Sequence, residues 1–189
     1  MQNIESRRTN QFETFCFVCG KESSLVVSEI CYEFSDFGSA YLLSAVCRNC
    51  GFKHTDVVEV KPHQDPLRIT VIVEEPDDIN HLVVRSSHAT IKMPELGVTI
   101  TPGPYAQGVI STIEGFLHRA KEIVEFLASS KLDEEQMERC LETLDKLAAA
   151  IEGKLKFTFI IEDPSGLSTV VPKCGRTAKI IKELLRVED

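Results

Sequence analysis

The chain has 189 residues, a formal net charge of −8, 43% hydrophobic and 26% charged residues, and seven cysteines. That is room for one ordinary soluble domain plus a small module. No apolar run approaches the roughly 20 residues that cross a bilayer, so no membrane association is expected. Residues 1–10 are polar and lack the apolar core of an export signal. An odd number of cysteines fits a reducing compartment better than a disulfide framework, so the expected location is cytoplasmic. Nucleic-acid affinity rests largely on Lys and Arg, and here acids outnumber bases, so the charge balance favours a protein partner.

Residues 1–11 read as a flexible tail. The zinc module is expected over 12–56. It opens with Cys16-Phe17-Val18-Cys19-Gly20 and closes with Cys47-Arg48-Asn49-Cys50-Gly51. Each Cys-x-x-Cys turn aims two sulfurs at one point, and four thiolates match the tetrahedral preference of Zn²⁺. Cys16, Cys19, Cys47 and Cys50 are therefore the expected ligands of one structural zinc. Their coordination shell is closed to water, so the metal has no catalytic position. Between the knuckles, 25–33 and 40–46 are rich in Val, Leu, Ile and Tyr and flank a turn-like 34–39, the plan of a zinc ribbon. Tyr32, Phe34, Phe37 and Tyr41 crowd this stretch. With Arg48 and Lys53 beside the second knuckle, they form the expected partner surface. Of the single cysteines, Cys31 and Cys140 read as packing residues and Cys174 as a surface thiol. His54 reads as a solvated loop histidine.

From residue 57 the strands are short. Segments 57–60, 68–74, 82–85, 89–93 and 98–101 are separated by Asp65-Pro66, Pro76-Asp77-Asp78, Pro94, Gly97 and Pro102-Gly103-Pro104. Many short strands with frequent turns predict a β-sandwich or β-roll. The period then becomes helical. Ile113, Phe116, Leu117, Ala120, Val124 and Leu127 mark one stripe, and Met137, Cys140, Leu141, Leu144, Leu147, Ala148 and Ile151 a second. Asp133 with Gln136 signals a helix start and Gly153 a stop. A helical hairpin is thus expected over about 109–152, inserted in a β-domain spanning 57–172. Strand pattern resumes at 155–161 and 167–171, around Asp163-Pro164-Ser165-Gly166, which reads as a tight turn. Glu114 and Gly115, where the β-domain enters the hairpin, read as a helix-end charge and a close-packing position. Residues 173–189 read as a tail or short helix, with helix placed at 177–186. The expected fold class is mainly β with an inserted α-hairpin (α+β).

The ordered stretches Cys16-Phe17-Val18-Cys19-Gly20, Cys47-Arg48-Asn49-Cys50-Gly51-Phe52-Lys53, Lys92-Met93-Pro94-Glu95-Leu96, Thr101-Pro102-Gly103, Thr112-Ile113-Glu114-Gly115 and Asp163-Pro164-Ser165-Gly166 resemble the ZPR-type zinc-finger family. Phe17 stands where members often have proline. The resemblance implies a zinc ribbon joined to a double-stranded β-helix, a jelly-roll-like domain carrying the helical hairpin. One module here, against two in eukaryotic members, makes the chain similar to the archaeal form. It also implies an adaptor or chaperone-like role toward translation elongation factor 1-alpha. The alternative is a zinc ribbon associated with nucleic acid in transcription or translation. No nucleophile elbow, phosphate loop or His-Glu-x-x-His is present. His54-Thr55-Asp56 is the nearest approach to the His-and-carboxylate site of β-helix oxygenases, but it lies in the zinc module. No enzymatic activity is expected.

Overall fold

A computed structural model describes residues 4–34, 38–59, 65–173 and 179–185. The described residues form three antiparallel sheets and one helical hairpin. The first sheet is the ribbon, in the order β1 (Ile4–Thr14), β2 (Leu25–Phe34), β3 (Gly38–Cys47), β4 (Lys53–Glu59). The ribbon is therefore four strands wide rather than two, and the boundary expected after residue 56 falls inside β4. The expected tail over 1–11 is a correction as well. From Ile4 it pairs with β2 through a register shift between Arg8 and Asn10. Its polar composition suits an edge strand, where charged residues discourage pairing with other chains.

Beyond the ribbon come β5 (Leu67–Val73), β6 (Leu82–Arg85), β7 (Thr90–Met93), β8 (Val98–Ile100), β9 (Val109–Thr112), β10 (Phe157–Asp163), β11 (Thr169–Val171) and β12 (Lys179–Leu184). They form a five-stranded sheet, β12-β5-β10-β7-β8, and a three-stranded sheet, β11-β6-β9. The helix expected at 177–186 is corrected to β12, whose Ile181 pairs with Thr70 of β5. Lys, Glu and Leu favour a helix locally. The otherwise open edge of β5 offers a full ladder instead, and tertiary pairing overrides a propensity of a few tenths of a kcal/mol per residue.

Side-chain alternation sorts each strand into two faces. In the main core, Ile69, Val71 and Val73 of β5, Ile91 and Met93 of β7, and Phe157, Phe159 and Ile161 of β10 meet Val83 of β6 and Val170 of β11. The opposite face of the three-stranded sheet presents Val84 and Val171, flanked by Leu82 and Ile110. Leu42 of β3 packs on it. The small sheet is thus covered on both sides, once by the core and once by the ribbon. Polar contacts reinforce the second cover. The Gly108 N–H donates to Asp56 Oδ1 at 2.9 Å, and the Thr55 N–H to Gln107 Oε1 at 3.4 Å.

The hairpin consists of α1 (Ile113–Ala128) and α2 (Glu134–Ile151). The Thr112 hydroxyl caps α1 by accepting from the Gly115 N–H at 3.1 Å. A Cβ on residue 115 would stand 2.2 Å from Ser111 Oγ, so a side chain there would force the Ser111 hydroxyl to turn away. Asp133 and Gln136 form a reciprocal capping box at the start of α2. Ile113, Phe116, Leu117 and Ala120 of α1 and Leu147 and Ala150 of α2 enter the main core. Leu141 belongs to the helical stripe but is 54% exposed, because α2 meets the core mainly through its C-terminal half. Cys140 is likewise only half-buried, in place of the core position expected for it.

Leu147→Ala is expected to cost about 2–5 kcal/mol of stability, since the side chain is fully buried among large neighbours. Leu141→Ala should change stability by less than about 0.5 kcal/mol, as surface substitutions usually do. Urea denaturation midpoints of the two variants check the contrast, and equal losses would place Leu141 in the core.

Candidate metal centre and the exposed surface around it

Each metal knuckle is a short loop closed on itself. The Gly20 N–H donates to the Cys16 carbonyl at 2.7 Å, and the Gly51 N–H to the Cys47 carbonyl at 3.1 Å. Both glycines take left-handed backbone, with φ of +70° and +74°, which a side chain would strain. The strands β2 and β3 hold the knuckles together, with Leu25 opposite Cys47. Cys16, Leu25 and Cys47 are buried in one small cluster with Val27, Ala45 and Phe52.

The four sulfurs of Cys16, Cys19, Cys47 and Cys50 lie within 4.8 Å of one another. The Cys16–Cys50 and Cys19–Cys47 sulfur pairs are each 3.8 Å apart. Ligands about 2.3 Å from a tetrahedral centre stand roughly 3.8 Å from each other, so the spacing fits a Zn²⁺ held by four thiolates. The surroundings favour ionised sulfur. The Ser24 hydroxyl, 3.4 Å away, and the N–H groups of Cys50 and Asn49 draw the Cys47 thiol down to about 6. The Lys21 N–H and the Asn49 side-chain amide lower Cys19. Cys50 accepts from the Phe52 N–H, yet burial and the three crowded sulfurs push it up to about 12. Without a cation the last proton is therefore hard to remove. A divalent metal relieves that repulsion, and its bound thiolates would lose their protons outright. Among the described residues these four form the one metal-ligand cluster of three or more Cys, His, Asp or Glu. Cys31 is buried in β2 outside it.

The four sulfurs converge, and the apolar side chains on either side of Cys16 stand away from them. Phe17 and Val18 are 67% and 56% exposed, and Phe15, just before Cys16, is 55% exposed. Phe17 packs edge-on against Phe52 with centroids 5.0 Å apart. Phe52 in turn stacks on His54, whose Nδ1 lies 2.8 Å from Gln107 Nε2. His54 is exposed, as a solvated histidine should be, but it lies in β4 rather than in a loop and is tied to the segment before β9. Two exposed aromatics, Phe15 and Phe17, therefore stand at the metal tip. Tyr41 is half-buried in β3. Phe37 and Cys174 lie outside the described residues, as do the side chains of Tyr32 and Phe34. Arg48 Nη1 donates to Glu13 Oε1 at 2.7 Å across the ribbon, and Lys53 is exposed at the start of β4. The sequence signal for Phe15 and Phe17 was available: a large apolar residue beside an inward-turned ligand has no core of its own to enter.

The ZPR1 jelly-roll domain matches residues 77–186. A ZPR1-like protein of Pyrococcus horikoshii is 35% identical over 90% of this chain and 78% of its own length. The chain belongs to the ZPR1 family. A ZPR1-like protein of Methanocaldococcus jannaschii is also 35% identical, over 89% of this chain and 84% of its own length. The zinc finger chaperone zpr1 of Schizosaccharomyces pombe is 32% identical over 93% of this chain, which spans only 38% of that longer protein. The four-cysteine cluster and these zinc-finger relatives agree on a single structural zinc.

The Asp163-Pro164-Ser165-Gly166 stretch is a tight turn, closed by the Gly166 N–H on the Asp163 carbonyl at 3.2 Å. Asp163 is fully buried, and its Oδ1 accepts from the Ser165 N–H at 2.9 Å and the Ser165 hydroxyl at 2.6 Å. Its Oδ2 accepts from the Ser168 N–H at 2.7 Å and the Ser168 hydroxyl at 2.6 Å. Ser168 Oγ accepts from the Ser86 N–H at 3.0 Å, tying the turn to the end of β6. Burial opposes the charge on Asp163, but these donors outweigh it and hold the carboxyl below its usual range.

Two outcomes follow. Metal analysis should give one zinc per chain, and joint replacement of Cys16 and Cys47 by Ser should abolish it. Zinc retained by that double variant would refute the assignment. For Asp163 the folded pKa is depressed, so its stabilising contribution is present above about pH 4 and lost as pH falls through the folded value. Asp163→Ala, which takes the acceptor from two buried Ser168 donors and two half-buried Ser165 donors, should cost on the order of 1–3 kcal/mol at neutral pH and flatten the acid limb of a stability–pH curve. An unchanged acid limb would count against this account.

Proposed function

We propose that this chain is a zinc-dependent adaptor with a chaperone-like role toward translation elongation factor 1-alpha, acting in the cytoplasm and without catalysis of its own. The observation that carries the reading is the apolar crown on the metal tip. Phe15, Phe17 and Val18 are each more than half exposed on a rigid, metal-stapled loop. Exposed aromatics cost solubility unless a partner covers them, and such residues commonly anchor interfaces. Lys21 and Lys53 are exposed near the crown on a chain whose net charge is −8. This local cationic rim suits an acidic surface on the partner and would set approach and register. The choice of elongation factor rests on the family resemblance, and a chaperone role accords with the name of the fission-yeast relative.

A second reading keeps its place because of the same crown. Exposed phenylalanines beside lysines also stack single-stranded nucleic acid. Its mark would be steep weakening with salt, as counterions compete for phosphates.

Titration calorimetry of the full chain with the purified elongation factor, loaded with GDP or with GTP, tests the first reading. Phe17→Asp is expected to weaken binding by more than about 1 kcal/mol, since interface anchors typically cost at least that. Zinc content and melting temperature should stay unchanged. No heat in either nucleotide state at high micromolar concentration would refute the elongation-factor reading. Salt-sensitive binding to an oligonucleotide would then support the second.

A further inference from the structure

A cavity of about 440 Å³ opens between β8 and the helical hairpin, remote in sequence from the metal tip. Residues 97–101 form one wall, including Val98 and Ile100. Ile123, Val124 and Leu127 of α1 form the other, and Arg139 of α2 stands at its margin. Its volume lies within the range of about 300–1,000 Å³ seen for ligand pockets. Ile123 and Leu127 are 51% and 46% exposed, so the apolar wall is open to water.

One wall is the outer edge of a sheet. β8 pairs with β7 through Met93–Val98, Lys92–Thr99 and Ile91–Ile100, and it is the edge strand of the five-stranded sheet among the described residues. An edge strand presents backbone N–H and C=O groups at the spacing that another strand would use. Strand edge, apolar trough and facing helix together make a seat for β-strand addition, in which backbone bonds give affinity and alternate side chains enter pockets. A compact small molecule would leave the edge groups unused.

Among the described residues Arg139 is the one charged side chain lining the trough. It pairs with Glu135 one helical turn away, and both side chains are largely exposed. Exposed helix pairs of this kind are worth about 0.3–0.5 kcal/mol, so a ligand carboxylate can replace Glu135. Once it leaves Glu135, the Arg139 guanidinium can take an acidic side chain of the occupant as its partner.

The geometry points to a binding groove for an extended segment of a partner protein, seated as an added strand along β8, with apolar side chains between β8 and α1 and an Asp or Glu on Arg139. This groove lies on the jelly-roll domain and does not depend on the elongation-factor reading of the metal tip.

A random dodecapeptide library displayed on phage, panned against the full zinc-loaded chain, supplies the probe. Enriched peptides should carry apolar residues at alternate positions and an Asp or Glu nearby. A fluorescein-labelled synthetic copy should bind the chain in anisotropy titrations and slow hydrogen exchange at the amides of residues 98–100. Ile123→Glu should weaken it more than tenfold. Arg139→Glu should weaken it several-fold, and changing the peptide's acid to its amide should weaken the original chain but add nothing to that variant. Melting temperatures report that both variants fold, and Leu127→Lys replaces Ile123→Glu if that one does not. The proposal is overturned if no peptide is enriched or if binding ignores both groove substitutions. It is equally overturned if the residue 98–100 amides stay unprotected, or if sedimentation shows a self-association that Ile123→Glu abolishes, which would make the occupant a second copy.

Discussion

Repulsion among four sulfurs packed within 4.8 Å, and its relief by one divalent cation, is the interaction on which the ribbon depends. The apolar cluster beneath the knuckles is small: two of its three buried members are themselves the ligands Cys16 and Cys47. Such a cluster cannot offset the entropy of ordering two glycine-hinged loops by burial alone. The metal takes the part that a larger core plays elsewhere. Because it fixes where the sulfurs of each knuckle point, it also fixes the rest of the loop, and the exposure of Phe17 and Val18 follows from the same bonds that draw the Cys16 and Cys19 sulfurs together.

A second constraint carries this order into the rest of the molecule. The β11-β6-β9 sheet has apolar side chains on both faces, and an uncovered face would be an aggregation hazard. Leu42 covers one face and the main core the other. The ribbon is therefore part of how the jelly-roll domain buries its own surface. The contacts of Thr55 and Asp56 with Gln107 and Gly108 extend this seam. The crown at the metal tip is carried on a body rather than on a tether.

Much of this was legible in the sequence where local chemistry decides the outcome. Paired Cys-x-x-Cys turns, the Asp133–Gln136 box and the apolar stripe through Phe116 and Leu117 each act over a few residues. The rest required partners distant in the chain. β12 is built from helix-favouring Lys, Glu and Leu, and only the vacant edge of β5 makes it a strand. Polar β1 shows no alternation because it lies at a sheet edge, where one-sided burial is not required. Leu141 matches its stripe by period, but the line of approach of α2 to the core leaves it in water. The metal centre could be placed by spacing alone, whereas its aromatic crown required knowing which way each knuckle faces.

The placement of β5 has a consequence for how the chain is made. Both strands that flank it, β10 and β12, come from the last third of the sequence. About 80 residues must emerge after β5 before β10 reaches it. At typical synthesis rates of 5–20 residues per second, that is roughly 4–17 s during which Ile69, Val71 and Val73 have no sheet to join. The inserted hairpin lengthens this wait, since its two helices are translated in between. On the ribosome, then, the nascent jelly-roll domain holds an apolar strand with two vacant edges until almost its whole length is out, and it is itself a polypeptide in need of protection.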